Sequence, residues 1–159
     1  MQYEVWGDMM PAVTLSLEAG ESIYTQSGGM SWMTDQIEMT TNMSGGFMKG
    51  LGRMFSGESL FMATYTSKAP GQQLTIASSV PGNIKVFEIT PSYSIVAQKG
   101  AFLCAQPSVE LAAFVTNARG GFFGGEGFFN TVITGPGKLI TQSMPIGVTA
   151  MRLYDLMPH

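Results

Sequence analysis

The sequence predicts an all-β fold, because strand-like alternation, regularly spaced turn residues and an internal repeat occur together. Apolar and polar residues alternate from Val13 to Leu17 and from Ile84 to Ile89, and β-forming residues predominate from Leu74 to Ala77 and from Thr131 to Ile133. Turn residues separate these runs at the spacing typical of a sandwich or barrel. The turns are predicted at Glu18 to Glu21, Ala69 to Gly71, Val80 to Asn83 and Gly135 to Gly137.

The chain also repeats itself in order, which indicates a tandem duplication. Gln26 to Met30 recurs 72 positions later as Gln98 to Phe102, and Ser56 to Phe61 recurs 68 positions later as Gly124 to Phe129. Two further turn motifs containing proline recur in the same order at shorter offsets. We therefore expect a single domain over residues 1–159 that consists of two related units, about residues 15–86 and 87–153.

One segment, Met43 to Phe55, has helical rather than strand periodicity. Its apolar side chains fall on one arc of a helix, with Lys49 and Arg53 on the opposite side. Several glycines in the segment each cost up to about 1 kcal/mol in a helix, so it would need a packing partner. We expect a short amphipathic helix that caps the sheet; the alternative is a segment that binds a membrane or a protein partner. The candidate surface-binding residues are Phe47, Met48, Lys49, Leu51, Arg53, Met54 and Phe55.

Composition predicts an oligomer. Charged residues make up 12% of the chain, about half the usual share of about 25%, while hydrophobic residues make up 45%. Part of this apolar surplus is expected at a subunit interface, a groove or a membrane surface. The net charge of −3 gives no basic field for nucleic acid. Nucleic acid is therefore not an expected partner.

Few side chains are available for catalysis or for metal binding. The single histidine is His159, and the single cysteine is Cys104. A catalytic triad would depend on His159, and these two side chains are too few for a zinc site. We expect no catalytic residue, no metal and no cofactor. Cys104 is interpreted as a buried small hydrophobic residue, and a lone cysteine favours a reducing compartment, here the cytoplasm.

Glu58 and Glu126 are the most interesting acids, because both follow glycine in corresponding places of the two units. A pair of carboxylates facing each other across a cleft could hydrolyse a glycosidic bond. We favour a structural role, in which each carboxylate accepts backbone N–H groups of a glycine turn or pairs with Arg53 or Arg119.

Several ordered motifs together resemble a known family. They are Tyr3 to Val5, Gly20 to Tyr24, Gly28 to Met30, Arg53 to Phe61, Gly100 to Leu103, Gly124 to Phe129 and Gly135 to Gly137. The resemblance covers nearly the whole chain and is to the mitochondrial-biogenesis family named for altered inheritance of mitochondria, protein twenty-four. It implies a tandem-repeat β-sandwich, or double-stranded β-helix, similar to the trp RNA-binding attenuation protein. It also implies a homo-oligomer, expected to be a trimer, without an established biochemical activity.

The leading functional expectation is a non-enzymatic oligomeric scaffold that binds a protein partner or a membrane surface. One alternative is an RNA-binding ring by analogy with the fold, in which scattered lysines would cluster despite the acidic balance. The other is a hydrolase that uses Glu58 and Glu126.

Overall fold

The computed structural model describes residues 1–26, 29–41, 62–98, 100–115 and 129–143, and these residues form β-strands and turns with no helix among them. The all-β prediction is confirmed. The helix predicted over Met43 to Phe55 lies outside the described residues. The strands are β1 (Gln2–Trp6), β2 (Ala12–Leu17), β3 (Ser22–Gln26), β4 (Met30–Met33), β5 (Ile37–Thr41), β6 (Met62–Ser67), β7 (Gln72–Ala77), β8 (Asn83–Ile89), β9 (Ser94–Gln98), β10 (Phe102–Ala105), β11 (Glu110–Val115), β12 (Phe129–Thr134) and β13 (Gly137–Ser143).

The strands form three antiparallel sheets. The first sheet has the order β1-β2-β7-β4, the middle sheet β5-β6-β3-β10-β13-β8, and the third sheet β11-β12-β9. Most neighbours are joined by ladders of five to seven residue pairs, but β3 and β10 meet over only two, Tyr24 with Ala105 and Thr25 with Cys104. This short β3·β10 ladder joins the first half of the chain to the second within the middle sheet.

The strands form where the sequence alternates. In β2, the side chains of Val13, Leu15 and Leu17 are fully buried, while the intervening polar residues are only partly covered. The runs predicted at β7, β8 and β12 are also strands. The predicted turns lie between strands; at the first of them, the N–H of Glu21 donates to the carbonyl oxygen of Glu18 at 3.0 Å. Gly20 adopts φ +84° there, a conformation that favours glycine.

Two hydrophobic cores lie on either side of the middle sheet. The first core contains buried residues of the first and middle sheets, such as Leu15, Leu74 and Ile140. The second core contains buried residues of the middle and third sheets, such as Leu139 and Ile133. Adjacent residues of β13, Leu139 and Ile140, therefore pack into different cores. The middle sheet is covered by apolar side chains on both faces near its centre.

No helix within the described part of the chain is long and apolar enough to cross a bilayer.

Candidate interaction surface

Both tryptophans of the chain lie on the face of the first sheet that points away from the first core. Thr14 alternates with core residues of β2, so its side chain points outward, and it pairs with Thr75 of β7. The two hydroxyl oxygens are hydrogen bonded at 2.7 Å, and the indole N–H of Trp6 donates to Thr14 Oγ1 at 3.0 Å. Trp32 of β4 also lies opposite Thr75, on the side of β7 that faces away from β2. We call Thr14, Thr75 and Trp32 the outer row.

The first sheet and the loop after β1 carry most of the exposed apolar side chains. Of the ten large hydrophobic residues that are exposed among the described residues, six belong to this region. Such a concentration on a small domain is typical of an interaction site, because scattered single residues would need no explanation. The six residues are Tyr3, Val5, Trp6, Met9, Met10 and Trp32.

Two edge strands, β4 in the first sheet and β9 in the third, have apolar side chains at the rims of the cores. Met33 of β4 packs partly against the first core, and Ala97 of β9 packs partly against the second. The neighbouring side chains point outward: Trp32 is 43% exposed and Val96 is 60% exposed. These edges therefore carry exposed apolar side chains next to both cores.

The lysines of the described residues do not form a free basic cluster. Lys68 Nζ lies 2.6 Å from Glu38 Oε2, and Lys138 Nζ lies 2.5 Å from Glu88 Oε2. The third, Lys85, has its ammonium 5.5 Å from the centre of the Phe87 ring. Such exposed pairs contribute little to stability, but they reduce the positive potential that a polyanion would meet.

The buried titratable groups have structural roles. The Tyr24 hydroxyl donates to the carbonyl oxygen of Val109 at 2.7 Å, across the second core. Burial raises the pKa of Tyr24 far above its usual range, with smaller contributions from nearby Cys104 and Glu110. Burial also raises the pKa of the Cys104 thiol, whose side chain is fully covered. The interpretation of Cys104 as a buried hydrophobic residue agrees with this position.

Cys104 is expected to be unreactive in the folded chain. The thiolate is the nucleophile, and both its burial and its raised pKa oppose its formation. Ellman's reagent should therefore label Cys104 at least about 100-fold more slowly in buffer than in denaturant, because labelling requires opening of the core. The measurement is the rate of absorbance change with and without urea. Equal rates would contradict the buried placement.

The candidate site residues chosen from the sequence lie outside the described residues. Within the described ranges, no group of three or more histidine, cysteine, aspartate or glutamate side chains could hold a metal ion. The outer row and the edge strands were missed by sequence reasoning, because no linear motif connects them. The residues outside are Glu58, Glu126, Phe47, Met48, Lys49, Leu51, Arg53, Met54 and Phe55.

Comparison with known proteins places this fold in a family. An uncharacterized protein of Streptococcus pyogenes serotype M6 is 33% identical over 142 residues, which are 84% of this chain and 56% of that protein. The crystal structure of another Streptococcus pyogenes protein has a TM-score of 0.68 and 29% identity, covering 90% of this chain and 64% of that chain. The chain thus spans less than two thirds of both proteins. The family model described as mitochondrial biogenesis AIM24 matches residues 3–153, so the chain belongs to the AIM24 family.

Proposed function

We propose that the chain is a non-enzymatic scaffold that assembles into a homotrimer and binds a protein partner through the exposed apolar side chains of β1 and of the loop after it. The observation that carries the proposal is the group of exposed apolar side chains there, including Trp6, Met9 and Met10. Aromatic residues and methionine are enriched in protein interfaces, whereas lysine and glutamate are depleted. A surface that combines a tryptophan with two methionines has the chemistry of such an interface.

We further propose that the scaffold consists of two repeated units, because the same strand order occurs twice. The neighbours β2-β7-β4 in the first sheet correspond to β8-β13-β10 in the middle sheet. The neighbours β5-β6-β3 in the middle sheet correspond to β11-β12-β9 in the third. Each unit is then a two-layer sandwich with its own core. This correspondence favours a division in the turn before β8 rather than at residue 86, which lies inside that strand.

Local irregularities support the same correspondence. The register of β4 against β7 shifts between Met30 and Trp32, and that of β10 against β13 shifts between Phe102 and Cys104. The shifted positions are 72 residues apart in both cases. A β-bulge at one position of a strand is a specific feature, so its occurrence at corresponding places supports a duplication.

Light scattering tests the scaffold directly. The full chain is expected to have three times the 17.0 kDa mass of one copy, independent of dilution over the working range. The apolar surface left at the edges of the sheets favours association, and the number three is what the family resemblance implies. A mass of 17.0 kDa at every concentration would contradict the proposal.

Liposome flotation separates a protein surface from a membrane surface. The full chain is expected to remain with the soluble fraction. If the full chain does float, two variants identify the surface that binds: Phe47→Ser, and Tyr93→Ser as a control at an exposed aromatic residue. If Phe47→Ser abolishes flotation and Tyr93→Ser does not, the Met43 to Phe55 segment binds the membrane and the proposed protein-binding surface is wrong.

A further inference from the structure

Two edge strands lack the charges that protect the other edges. Four of the six edge strands carry charged residues: Glu4 in β1, Glu38 in β5, Lys85 and Glu88 in β8, and Glu110 in β11. The remaining two, β4 and β9, carry none. Natural sheets place charges on exposed edges to prevent pairing with other chains. An edge without charges is therefore suited to pairing.

Among the described residues, these two edges are unpaired on their outer side. Within the described residues, β4 pairs only with β7, and β9 pairs only with β12. The backbone N–H and C=O groups on the outer side of each strand have no ladder partner there. Apolar side chains flank both edges, and Val96 and Trp32 project from them into solvent. Pairing would bury these side chains as well as the backbone groups.

The β3·β10 ladder within the chain provides the geometry for closing such edges. Thr25 lies opposite Cys104, and Tyr24 lies opposite Ala105. The Thr25 hydroxyl donates to the carbonyl oxygen of Leu103 at 2.6 Å. In the repeated strand order, β9 takes the place of β3, and β4 takes the place of β10. The two open edges thus correspond to the two strands that pair inside the chain.

We propose that β9 of one copy pairs antiparallel with β4 of a second copy, in the register of the β3·β10 ladder. A shift of 72 residues places Ala97 opposite Trp32 and Val96 opposite Met33. The inference rests on the proposed homo-oligomeric scaffold and names the interface that builds it. Each copy has one strand of each kind, so the contact is head-to-tail and closes into a ring when the rotation allows.

The apolar side chains at the two edges fit this arrangement. Tyr24 packs into the second core, beyond its own unit, and Val96 occupies the corresponding place in β9. Val96 would accordingly enter the first core of the second copy, where Met33 packs. Cys104 packs into the first core, and Trp32 corresponds to it in β4. Trp32 would face the second core of the first copy and lose its exposure to water.

Disulfide trapping tests the register with a matched set of variants. Four single changes, Trp32→Cys, Met33→Cys, Val96→Cys and Ala97→Cys, are combined into two on-register pairs (32 with 97, 33 with 96) and two off-register pairs (32 with 96, 33 with 97). Residues directly opposite in a ladder have Cα atoms about 4.5–5.5 Å apart, within the range for a disulfide. A shift by one residue points the two side chains to opposite faces.

The on-register pairs are expected to form disulfide-linked multimers on a non-reducing gel at least about tenfold faster than the off-register pairs. Because every substitution occurs once in each set, its individual effect on folding or reactivity cancels. The native Cys104 is buried and does not compete. Equal trapping by both sets, or trapping only within one chain as a faster-moving monomer band, would overturn the inference.

A charge on the open edge provides the second test. Val96→Lys is expected to dissociate the assembly to 17.0 kDa, because the new ammonium would be buried in the second copy. Met39→Lys is the control, since Met39 is 48% exposed on β5, an edge that already carries Glu38. If the unsubstituted chain is an oligomer and Val96→Lys keeps its mass, this interface is wrong while the scaffold stands. If the unsubstituted chain is a monomer, both proposals fail.

Discussion

Replacing Gln142 with leucine is expected to lower the free energy of unfolding by about 3 kcal/mol. Gln142 lies near the end of β13, and its buried amide makes four hydrogen bonds. Its Oε1 accepts from the Ser78 hydroxyl at 2.9 Å and from the Ser79 backbone N–H at 2.8 Å. Its Nε2 donates to Ser79 Oγ at 2.8 Å and to the carbonyl oxygen of Gly100 at 2.7 Å.

The size of the effect follows from the groups that would lose their partner. Leucine has a similar volume but no polar atoms, and each buried group left unsatisfied costs about 1–3 kcal/mol. The amide connects β13 to the turn before β8 and to the turn before β10, so its loss loosens two connections of the second half of the chain. The Ser78 hydroxyl also donates to the carbonyl oxygen of Val80, so three groups lose a partner. Relaxation of the exposed turns towards water keeps the total near the lower end of their summed range.

Urea unfolding of the full chain at fixed protein concentration measures this change. Gln36→Leu is the control, because Gln36 is exposed in the turn before β5, and its loss is expected to alter stability by less than about 0.5 kcal/mol. If Gln142→Leu unfolds at the same urea concentration as the unsubstituted chain, the amide is not part of a buried network.

Strands with alternating residues, or with many β-forming residues such as β7, could be predicted from the sequence, whereas β10 could not. β2 alternates because one face contacts a core and the other does not. All four residues of β10 are buried, so its sequence contains no alternation to recognise. Its pairing with β3 joins residues 78 positions apart, as in the bond from Thr25 to Leu103, and no local signal encodes that contact.

The repeat predicted the equivalence of strands but not the surface they form. The match of Gln26 to Met30 with Gln98 to Phe102 aligns the end of β3 and start of β4 with those of β9 and β10. The two tryptophans share a face because the sheet order is β1-β2-β7-β4 and the register places Trp6 opposite Ala12 and Trp32 opposite Thr75. That order results from long-range pairing, which single-sequence periodicity does not contain. The acids and the helical segment chosen from the sequence stay predictions.

The shared middle sheet has a consequence for cooperativity. The first core contains residues from the second half of the chain, and the second core contains Tyr24 and Met62 from the first half. Neither half can therefore retain a complete core when the other unfolds. A chain with two repeated units that were merely linked would unfold in two steps, whereas this exchange of core residues favours a single transition.

Ile140→Ala tests this exchange and is expected to lower the free energy of unfolding by about 3–4 kcal/mol. Ile140 is fully buried in the first core with Leu15 and Leu74, although it comes from β13. Removing three carbon atoms leaves a cavity that the surrounding sheets cannot fill, which adds to the lost hydrophobic transfer energy. Ile133→Ala provides the matching change in the second core.

Both core variants are expected to shift a single urea transition that tryptophan fluorescence and far-UV circular dichroism record at the same urea concentration. Val80→Ala, in an exposed turn, is the control and is expected to change the free energy of unfolding by less than about 0.5 kcal/mol. Trp6 and Trp32 both belong to the first sheet, so fluorescence reports on the first unit. If Ile133→Ala shifts the dichroism but leaves the fluorescence transition unchanged, the units unfold separately. The β3·β10 ladder would then hold two independent cores side by side, and the middle sheet would not transmit stability between them.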